Sequence, residues 1–305
     1  MGNIIFKSEG ISKKYGEHLA LDNLNMQVNR GDIYGFIGAN GAGKTTTIRL
    51  ITGLIHQSQG IYQLFGQSSE KAILKSRKKI GCIIEYPALY PNMTAQENLK
   101  VQCYQKGITQ KGIVEEVLKT VSLSNTGRKK AKDFSLGMRQ RLGLAVALLA
   151  EPEFLLLDEP TNGLDPMGII DLRNLLKSLN KEKGITILIS SHILTELDKL
   201  ATTYGIINKG NMIEEISHDE VSKKCSSYLH IHTTNYQKTA VVLENKLQTN
   251  NFEVTNKNTI RLRDYTYDVR YVARTLFENG IEIKEISQQS ENLESYFKKR
   301  IGENQ

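Results

Sequence analysis

The sequence predicts an α/β fold built on a parallel sheet, followed by a smaller α+β domain. Two continuous apolar runs, 154–157 and 185–190, are separated by a helix-like segment at 166–180. This pattern is typical of strands that are buried on both faces of a parallel sheet. A glycine-rich loop joins the β-like run 31–38 to a helix-like segment at 45–54. Strand, loop and helix therefore form one unit of an α/β sheet.

The segments around this unit complete the first domain. Short β-like runs at 4–6 and 21–28 precede it. From about residue 72 to residue 150 the apolar spacing is mostly helical. The predicted helices there are 95–104, 114–121 and 138–150.

A domain boundary is predicted near residue 216, after a β-like pair at 204–208 and 211–215. It divides the chain into residues 1–216 and residues 217–305. The elements predicted beyond it are strand 228–232, helix 236–247, strands 252–254 and 259–262, helix 267–278, strand 281–286 and helix 292–300. The order βαββαβ predicts a small ferredoxin-like sandwich.

The composition restricts the class of protein. The chain has 305 residues, of which 39% are hydrophobic, which is enough for two cores. Its longest uncharged apolar run, 142–150, is about half of what crosses a bilayer, so a soluble chain is expected. Cys82, Cys103 and Cys225 have no metal-binding spacing, which indicates reduced thiols in a cytoplasm.

The formal net charge of +7 fits either nucleic acid or the anionic inner face of a membrane. The basic clusters at 77–79, 128–130 and 298–300 have no interleaved stacking aromatics. We therefore interpret them as solvated surface and expect no nucleic-acid partner.

The glycine-rich loop carries the most specific motif of the chain. It matches G-x-x-x-x-G-K-[ST] at every fixed position, between a predicted strand and a predicted helix. Backbone N–H groups of such a loop and the positive end of the following helix bind phosphate oxygens, the lysine adds a charge, and the hydroxyl binds Mg²⁺. The predicted ATP-binding residues are Gly38, Ala39, Asn40, Gly41, Ala42, Gly43, Lys44, Thr45 and Thr46.

Two adjacent carboxylates, Asp158 and Glu159, follow the apolar run 154–157. They lie at the carboxyl end of a predicted buried strand, where α/β sheets bind ligands. Asp158 is predicted to reach the metal, together with Thr45, and Glu159 to polarise the attacking water as general base. The simpler interpretation, an acidic helix start, does not explain the buried strand before them.

Between these two motifs, Ser135 and Gly137 begin a predicted apolar helix, where a serine caps the helix and its end can bind an anion. Together the motifs resemble the nucleotide-binding subunits of ATP-binding-cassette (ABC) transporters over residues 4 to about 215. The resemblance implies a P-loop NTPase cassette with a RecA-like core, an antiparallel β subdomain and a helical signature subdomain. Ser135 and Gly137 match two positions of the family's L-S-G-G-Q signature; the other positions of Phe134-Ser135-Leu136-Gly137-Met138 depart from it.

The resemblance also assigns roles to individual residues. The signature of one protomer closes on the phosphates held by the other, which implies a homodimer that binds two ATP molecules. Asp165 matches the D-loop residue at that interface, His192 the switch histidine that senses the γ-phosphate, and Tyr15 the aromatic that stacks on adenine. Asp165 also precedes a proline typical of a first helical position.

One position departs from the usual family pattern. Glu85 occupies the place of a glutamine that contacts Mg²⁺ and the attacking water. A third carboxylate there adds negative charge near the metal, so metal retention or communication with a membrane partner is expected to differ, unless the change is neutral. Glu85 and the segment 293–297 both resemble the exporters that protect bacteria from bacitracin and lantibiotic peptides.

This resemblance implies an ATPase subunit on the inner face of the membrane, bound to a separate transmembrane permease and powering export of a peptide antibiotic. Sodium or small-drug efflux is the alternative within transport. A non-transport ABC ATPase acting on ribosomes or DNA is a further alternative. The resemblance argues against it, because ribosome-acting members usually carry two cassettes in one chain and DNA-repair members insert a long coiled coil before the signature. The ordered presence of Ser135, Asp165 and His192 argues against a P-loop kinase or GTPase.

The C-terminal domain has two open interpretations, a module that stabilises the dimer or a regulatory sensor of a ligand. No site chemistry is recognisable in the sequence of residues 216–305. The sequence therefore favours the structural role.

Overall fold

The structure is a computed structural model that describes residues 3–225, 227–256, 258–263, 268–290 and 293–302, without the side chains of residues 227, 256, 290 and 301. These residues form two compact units, one ending at His218 and the other beginning at Asp219. The boundary expected after residue 216 lies in the last strand of the first unit. The expected helix starts at residues 267 and 292 lie outside the described residues.

The first unit contains two sheets. Its strands are β1 (Ile4–Tyr15), β2 (His18–Asn29), β3 (Ile33–Ile37), β4 (Gln59–Leu64), β5 (Ile80–Ile83), β6 (Phe154–Asp158), β7 (Thr186–Ser191), β8 (Thr203–Asn208) and β9 (Asn211–Ser217). One sheet is antiparallel with the order β2-β1-β4. The other has six strands in the order β5-β6-β7-β3-β8-β9, parallel except for β9. This confirms the α/β fold with a parallel sheet.

The central strands of the parallel sheet are buried along their whole length. Every residue of β3, β6 and β7 is buried, as expected for apolar runs covered on both faces. The stretch 72–150 is mostly helical, as predicted, but it also contains a strand that was not predicted, β5, which pairs in parallel with β6. With only four residues, β5 is too short to show a period of its own.

Helices cover the sheets of the first unit. They are α1 (Lys44–Thr52), α2 (Glu70–Ser76), α3 (Ala95–Lys106), α4 (Ile113–Thr120), α5 (Leu136–Leu148), α6 (Pro166–Lys183) and α7 (Leu194–Asp198). The start of α3 is fixed by a capping box between Thr94 and Glu97. The short helices α2 and α7 were not predicted individually, and the others differ from the predicted bounds by a few residues.

Helix α5 packs closely against β5 because two glycines allow it. A Cβ atom on Gly81 of β5 would lie 2.5 Å from the carbonyl oxygen of Ala147 in α5. A Cβ atom on Gly143 of α5 would lie 2.5 Å from Cβ of Pro87. Both distances are shorter than any real contact, so this packing excludes larger side chains. It fixes the position of α5 relative to the segment that follows β5.

The second unit contains α8 (His218–Lys224, from its second residue), β10 (Ser227–Thr233), α9 (Tyr236–Lys246), β11 (Phe252–Asn256), β12 (Thr259–Leu262), α10 (Val269–Glu278), β13 (Ile283–Ser290) and α11 (Leu293–Gly302). Its antiparallel sheet has the order β11-β12-β10-β13. From β10 to β13 the elements follow the order βαββαβ of a ferredoxin-like sandwich. Ile231, Leu243, Ile260 and Leu276 belong to its apolar core.

Within the described ranges, every helix is either too short or too polar to span a membrane.

Candidate functional site

The loop between β3 and α1 has a backbone that only glycine permits at its key position. Gly43 has φ 115°, a conformation that side chains of L-residues rarely adopt. A Cβ atom there would also lie 2.8 Å from Leu21 Cδ2 and 3.0 Å from the carbonyl oxygen of Ala20. The glycine therefore sets both the turn into α1 and the close approach of β2.

Lys44 is buried at the first turn of α1, with 5% of its surface exposed. Its ammonium donates hydrogen bonds to the carbonyl oxygens of Gly38 at 2.7 Å and Ala39 at 3.2 Å. It also lies 3.3 Å from Glu159 Oε1. The loop thus holds a desolvated positive charge next to the carboxylate that follows β6.

A chain of hydrogen bonds links the loop to the ends of β6 and β7. The Thr45 hydroxyl donates to Asp158 Oδ2 at 2.7 Å. The Ser190 hydroxyl donates to Asp158 Oδ1 at 2.6 Å and accepts from the backbone N–H of Glu159 at 2.9 Å. Ser190 therefore positions both carboxylate residues. Sequence reasoning missed it, although a serine at the end of the apolar run 185–190 is an unusual polar residue for a buried strand.

Glu159 is the most constrained carboxylate of the site. Its backbone has φ 47°, in the left-handed region. Its Oε2 accepts from Asn162 Nδ2 at 2.6 Å and lies 2.9 Å from His192 Nδ1. Burial opposes ionisation, but the Asn162 hydrogen bond, Lys44 and His192 together outweigh it, and the pKa of Glu159 lies below its ordinary value. The carboxylate is therefore ionised at neutral pH.

A cavity of about 410 Å³ lies over these residues. It brings together five of the predicted site residues: Asn40, Thr45, Glu85, Asp158 and Glu159. It is also lined by residues that the sequence did not single out: Tyr86, Leu136, Gln140, Asn162 and Gly163. The phosphate loop, the carboxylates after β6 and the start of α5 thus line the same cavity.

Ser135 and Asp165 act as helix caps beside this cavity. The Ser135 hydroxyl accepts from the backbone N–H of Met138 at 3.2 Å, and Asp165 Oδ1 accepts from that of Gly168 at 3.1 Å. A Cβ atom on Gly137 would lie 3.8 Å from Leu164. The start of α5 and the turn before α6 are therefore neighbours within one chain. Neither Ser135, Gly137 nor Asp165 lines the cavity itself.

Glu85 lines the cavity but is paired with a cation. Its Oε1 lies 2.5 Å from Arg49 Nη2 on α1, and its backbone has φ 61°. The side chain is 57% exposed. Arg49 balances the charge of the third carboxylate, a partner that sequence reasoning missed because the two residues are far apart in the chain.

Two further predicted ATP-binding residues, Tyr15 and Thr46, do not line the cavity. Tyr15 is 44% exposed at the end of β1, with Lys13 Nζ 5.0 Å from its ring centroid. It lies on the β1–β2 hairpin, whose Ala20 and Leu21 touch the loop, and is not among the residues lining the cavity. Thr46 is half-buried in α1.

The donor set at the loop is made of oxygen atoms. Thr45 Oγ1 and Asp158 Oδ2 are a hydroxyl and a carboxylate at hydrogen-bond distance, the kind of ligand that Mg²⁺ prefers alongside phosphate oxygens. In the described part of the chain no three His, Cys, Asp or Glu side chains are grouped to hold a metal. The oxygens of Thr45 and Asp158 fit a Mg²⁺ ion shared with phosphate, because Mg²⁺ is usually bound by one or two carboxylates together with phosphate oxygens and water.

Comparison with known proteins supports the same conclusion. Residues 21–162 match the model of the ABC transporter family. The chain is 43% identical to the bacitracin transport ATP-binding protein BcrA of Bacillus licheniformis, over 98% of this chain and 97% of that protein. The chain belongs to the ATP-binding proteins of ABC transporters.

Other members of this ABC family give the same picture. The lantibiotic transport ATP-binding protein SrtF of Streptococcus pyogenes is 43% identical, over 70% of this chain and 92% of that protein. A solved dimer of the ATP-binding cassette MJ0796 in a post-hydrolysis state, bound to ADP and phosphate, matches with a TM-score of 0.63 and 27% identity. It covers 70% of this chain and 98% of the cassette. As an ABC ATPase, the chain binds nucleotide and hydrolyses ATP in transport.

Proposed function

We propose that this ABC ATPase powers the export of a peptide antibiotic of the bacitracin or lantibiotic kind and so protects the cell that produces or meets it. The observation that carries the proposal is the similarity to BcrA, which extends over 98% of the chain and so includes the C-terminal unit. The similarity to SrtF supports the same class of substrate.

In the proposed reaction the loop 38–45 and Lys44 hold the β- and γ-phosphates of ATP. Glu159 is the general base that accepts a proton from the attacking water; its lowered pKa keeps the carboxylate ionised and therefore able to accept one. His192, hydrogen-bonded to Glu159 Oε2, orients that carboxylate and senses the γ-phosphate. Tyr15 is proposed to stack on adenine.

Thr45 and Asp158 would hold Mg²⁺, because their oxygens are already 2.7 Å apart. The ion supplies positive charge that balances the charge developing on the phosphates. Ser190 keeps Asp158 in place through the bond to its other oxygen. Arg49 keeps the charge of Glu85 from adding to that of Asp158 and Glu159.

The active form is proposed to be a homodimer in which each phosphate loop meets the other protomer's signature. Ser135 and Gly137 at the start of α5 would complete the partner's site, and Asp165 would line the interface. The solved dimer of the MJ0796 cassette supports this assembly.

A separate transmembrane permease is the proposed partner, which places the chain in the cytoplasm at the inner face of the membrane. The segment 85–98 is the proposed contact. It is held by Asn98, whose side chain hydrogen-bonds the backbone of Tyr90, Met93 and Thr94. Tyr86 is 82% exposed on this segment. A rigid loop with an exposed aromatic suits transmission of motion to another protein.

Deletion of the gene in its own host, followed by complementation, tests the proposal. Cells lacking the protein should become more sensitive to bacitracin or to a lantibiotic, and the wild-type gene should restore resistance while Glu159→Gln should not. Unchanged sensitivity to both peptides, combined with new sensitivity to sodium or a small drug, would assign the exporter to the other substrate class.

A further inference from the structure

The C-terminal unit contains a cavity of about 400 Å³ with a strongly basic lining. Six of its lining residues are cationic and one is a carboxylate. The lining residues are Lys223, Lys224, Glu253, Arg261, Arg263, Tyr296, Lys299 and Arg300. They come from α8, from the neighbouring strands β11 and β12, from the residue after β12 and from α11. The fold therefore gathers cations that are scattered along the sequence.

Two buried tyrosines hold four of the six cations in place. The guanidinium carbons of Arg261 and Arg263 lie 5.0 Å and 5.9 Å from the ring centroid of Tyr228. Arg300 and Lys224 both lie 5.5 Å from the ring centroid of Tyr296. Cations that are held on aromatic faces lose less conformational freedom when they bind an anion. The cluster is therefore preorganised.

Arg261 carries the most direct sign of a ligand. Its Nε is buried and has no hydrogen-bond partner among the described residues, although a buried donor is normally satisfied. Arg263, in contrast, pairs with Glu253 at 3.6 Å and donates to the carbonyl oxygen of Lys224 at 3.4 Å. Glu253 is directly opposite Arg261 in the strand register, but its carboxylate pairs with Arg263 and Arg261 Nε is left without an acceptor in the described part of the chain.

We propose that this cavity is a binding site for a phosphate-bearing anion. Arginine side chains bind phosphate oxygens in pairs through their forked N–H groups, and lysines add charge that a multiply charged ligand requires. The volume is suited to a pyrophosphate or a phosphorylated head group rather than to a single small ion. The site is separate from the nucleotide site and from the transport function proposed above, and does not depend on either. The ligand is a soluble phosphate compound or the head group of an anionic lipid.

The test compares two matched pairs of substitutions in the full chain with Lys44→Ala, which weakens phosphate binding at the nucleotide site equally in all proteins. One pair is Lys223→Gln with Lys299→Gln, both exposed lysines of the cavity. The control pair is Lys246→Gln with Lys284→Gln, exposed lysines of the same unit outside the cavity. Both pairs remove the same charge. Circular dichroism and thermal unfolding check that each protein is folded.

Binding is measured by calorimetry with sodium pyrophosphate and by co-sedimentation with phosphatidylglycerol vesicles, with phosphatidylcholine vesicles as the neutral reference, at constant ionic strength. We expect the cavity pair to weaken binding at least about tenfold and the control pair less than about twofold, because charge-assisted contacts are lost only in the cavity. Loss for pyrophosphate alone identifies a soluble ligand, and loss for vesicles alone a lipid head group; either result supports the site.

A second variant, Arg261→Lys, keeps the positive charge but replaces the guanidinium, with its paired N–H donors, by an ammonium. It should weaken binding of the probe that the parent protein binds by about threefold or more. The proposal fails if the parent protein binds neither probe, or if the cavity pair and the control pair bind both probes equally.

Discussion

Arg49 and Glu85 form an ion pair of 2.5 Å that joins α1, the helix after the phosphate loop, to the segment after β5. Both side chains are largely exposed, at 40% and 57%, so the pair contributes little to folding stability. Its importance is electrostatic. Glu85 lines the same cavity as Asp158 and Glu159. Arg49 therefore offsets the negative charge of Glu85 in the site that is to receive the phosphates of ATP.

Replacement of Arg49 by Gln should therefore weaken nucleotide binding. The uncompensated Glu85 would repel ATP, and we expect the KM for MgATP to rise roughly three- to tenfold with little change in kcat, in line with the modest energy of a partly exposed pair. Steady-state ATPase assays at low salt measure both constants.

The double variant Arg49→Gln/Glu85→Gln is the control, because it removes both charges. It should recover a KM close to that of the wild type. An equal KM in Arg49→Gln and in the double variant would show that Arg49 acts on nucleotide independently of Glu85.

Glu159→Gln should abolish turnover while nucleotide still binds. The amide keeps the shape of the side chain but cannot accept a proton, so we expect ATP hydrolysis to fall by at least about a hundredfold. Binding of a fluorescent ATP analogue should remain within a few-fold of wild type. Glu153→Gln is the matched control, because Glu153 is a carboxylate just before the first residue of β6, at the end of the strand away from the site. This variant should hydrolyse ATP normally. Near-normal turnover in Glu159→Gln would remove this residue from the role of base.

Ser190→Ala should lower kcat although Ser190 is proposed to touch neither ATP nor water. It removes the donor to Asp158 Oδ1 and the acceptor of the Glu159 N–H, and two such bonds correspond to a loss of roughly ten- to a hundredfold. Thr186→Ala on the same strand also removes a buried hydroxyl that accepts from a backbone N–H, that of Gly31. Both variants should lose stability in thermal unfolding, but only Ser190→Ala should lose kcat. Equal effects on kcat would indicate a general effect of the strand.

The parts of this site that the sequence predicts are those whose neighbours in space are also neighbours in the chain. The loop 38–45 and the pair Asp158–Glu159 each combine a local motif with an adjacent strand, so sequence pattern alone places them. Arg49 with Glu85, and Ser190 with Asp158, pair residues that are 36 and 32 positions apart. No local period or motif reports such contacts.

The same limit applies to the fold. The buried strands β6 and β7 are continuous apolar runs and are recognisable in the sequence. Strand β5 is defined by its pairing with β6, not by its four residues. The basic cavity of the C-terminal unit is likewise invisible in the sequence, because its cations approach one another only after β12 and α11 pack beside α8.

Gly205→Ala should destabilise the first unit. Gly205 lies in β8 between β3 and β9, and the Tyr34 side chain crosses it to donate a hydrogen bond of 2.5 Å to Glu215. A Cβ atom on Gly205 would lie 2.0 Å from the Tyr34 hydroxyl oxygen, and Tyr34 is fully buried. We expect a loss of roughly 1–3 kcal/mol or more in the free energy of unfolding, as for other overpacked cores.

Gly16→Ala is the comparison for Gly205→Ala, since a Cβ atom there meets nothing within 4 Å. It bears only the strain of a positive φ, about 1 kcal/mol. Urea unfolding followed by circular dichroism measures both. A smaller loss for Gly205→Ala than for Gly16→Ala would mean that Tyr34 moves aside without cost.

The stability of the first unit should depend on the ionisation of Glu153 in acid. The carboxylate lies 2.7 Å from Arg30 Nη1 and 2.6 Å from Lys79 Nζ. Hydrogen bonds from these two cations hold the pKa of Glu153 below its ordinary value of 4.5. The folded state therefore binds the proton more weakly than the unfolded state, and stability that is present above pH 4.5 is lost as the pH falls through the lowered pKa.

Glu153→Gln lacks this titration, so the wild type should be more stable than the variant at pH 6 and the difference should shrink steadily below about pH 4.5. Urea unfolding of both proteins from pH 6 to pH 3 measures the difference in the free energy of unfolding. All other carboxylates are common to both proteins, so their titration cancels. A difference that stays constant with pH would show that the two cations do not stabilise the ionised Glu153.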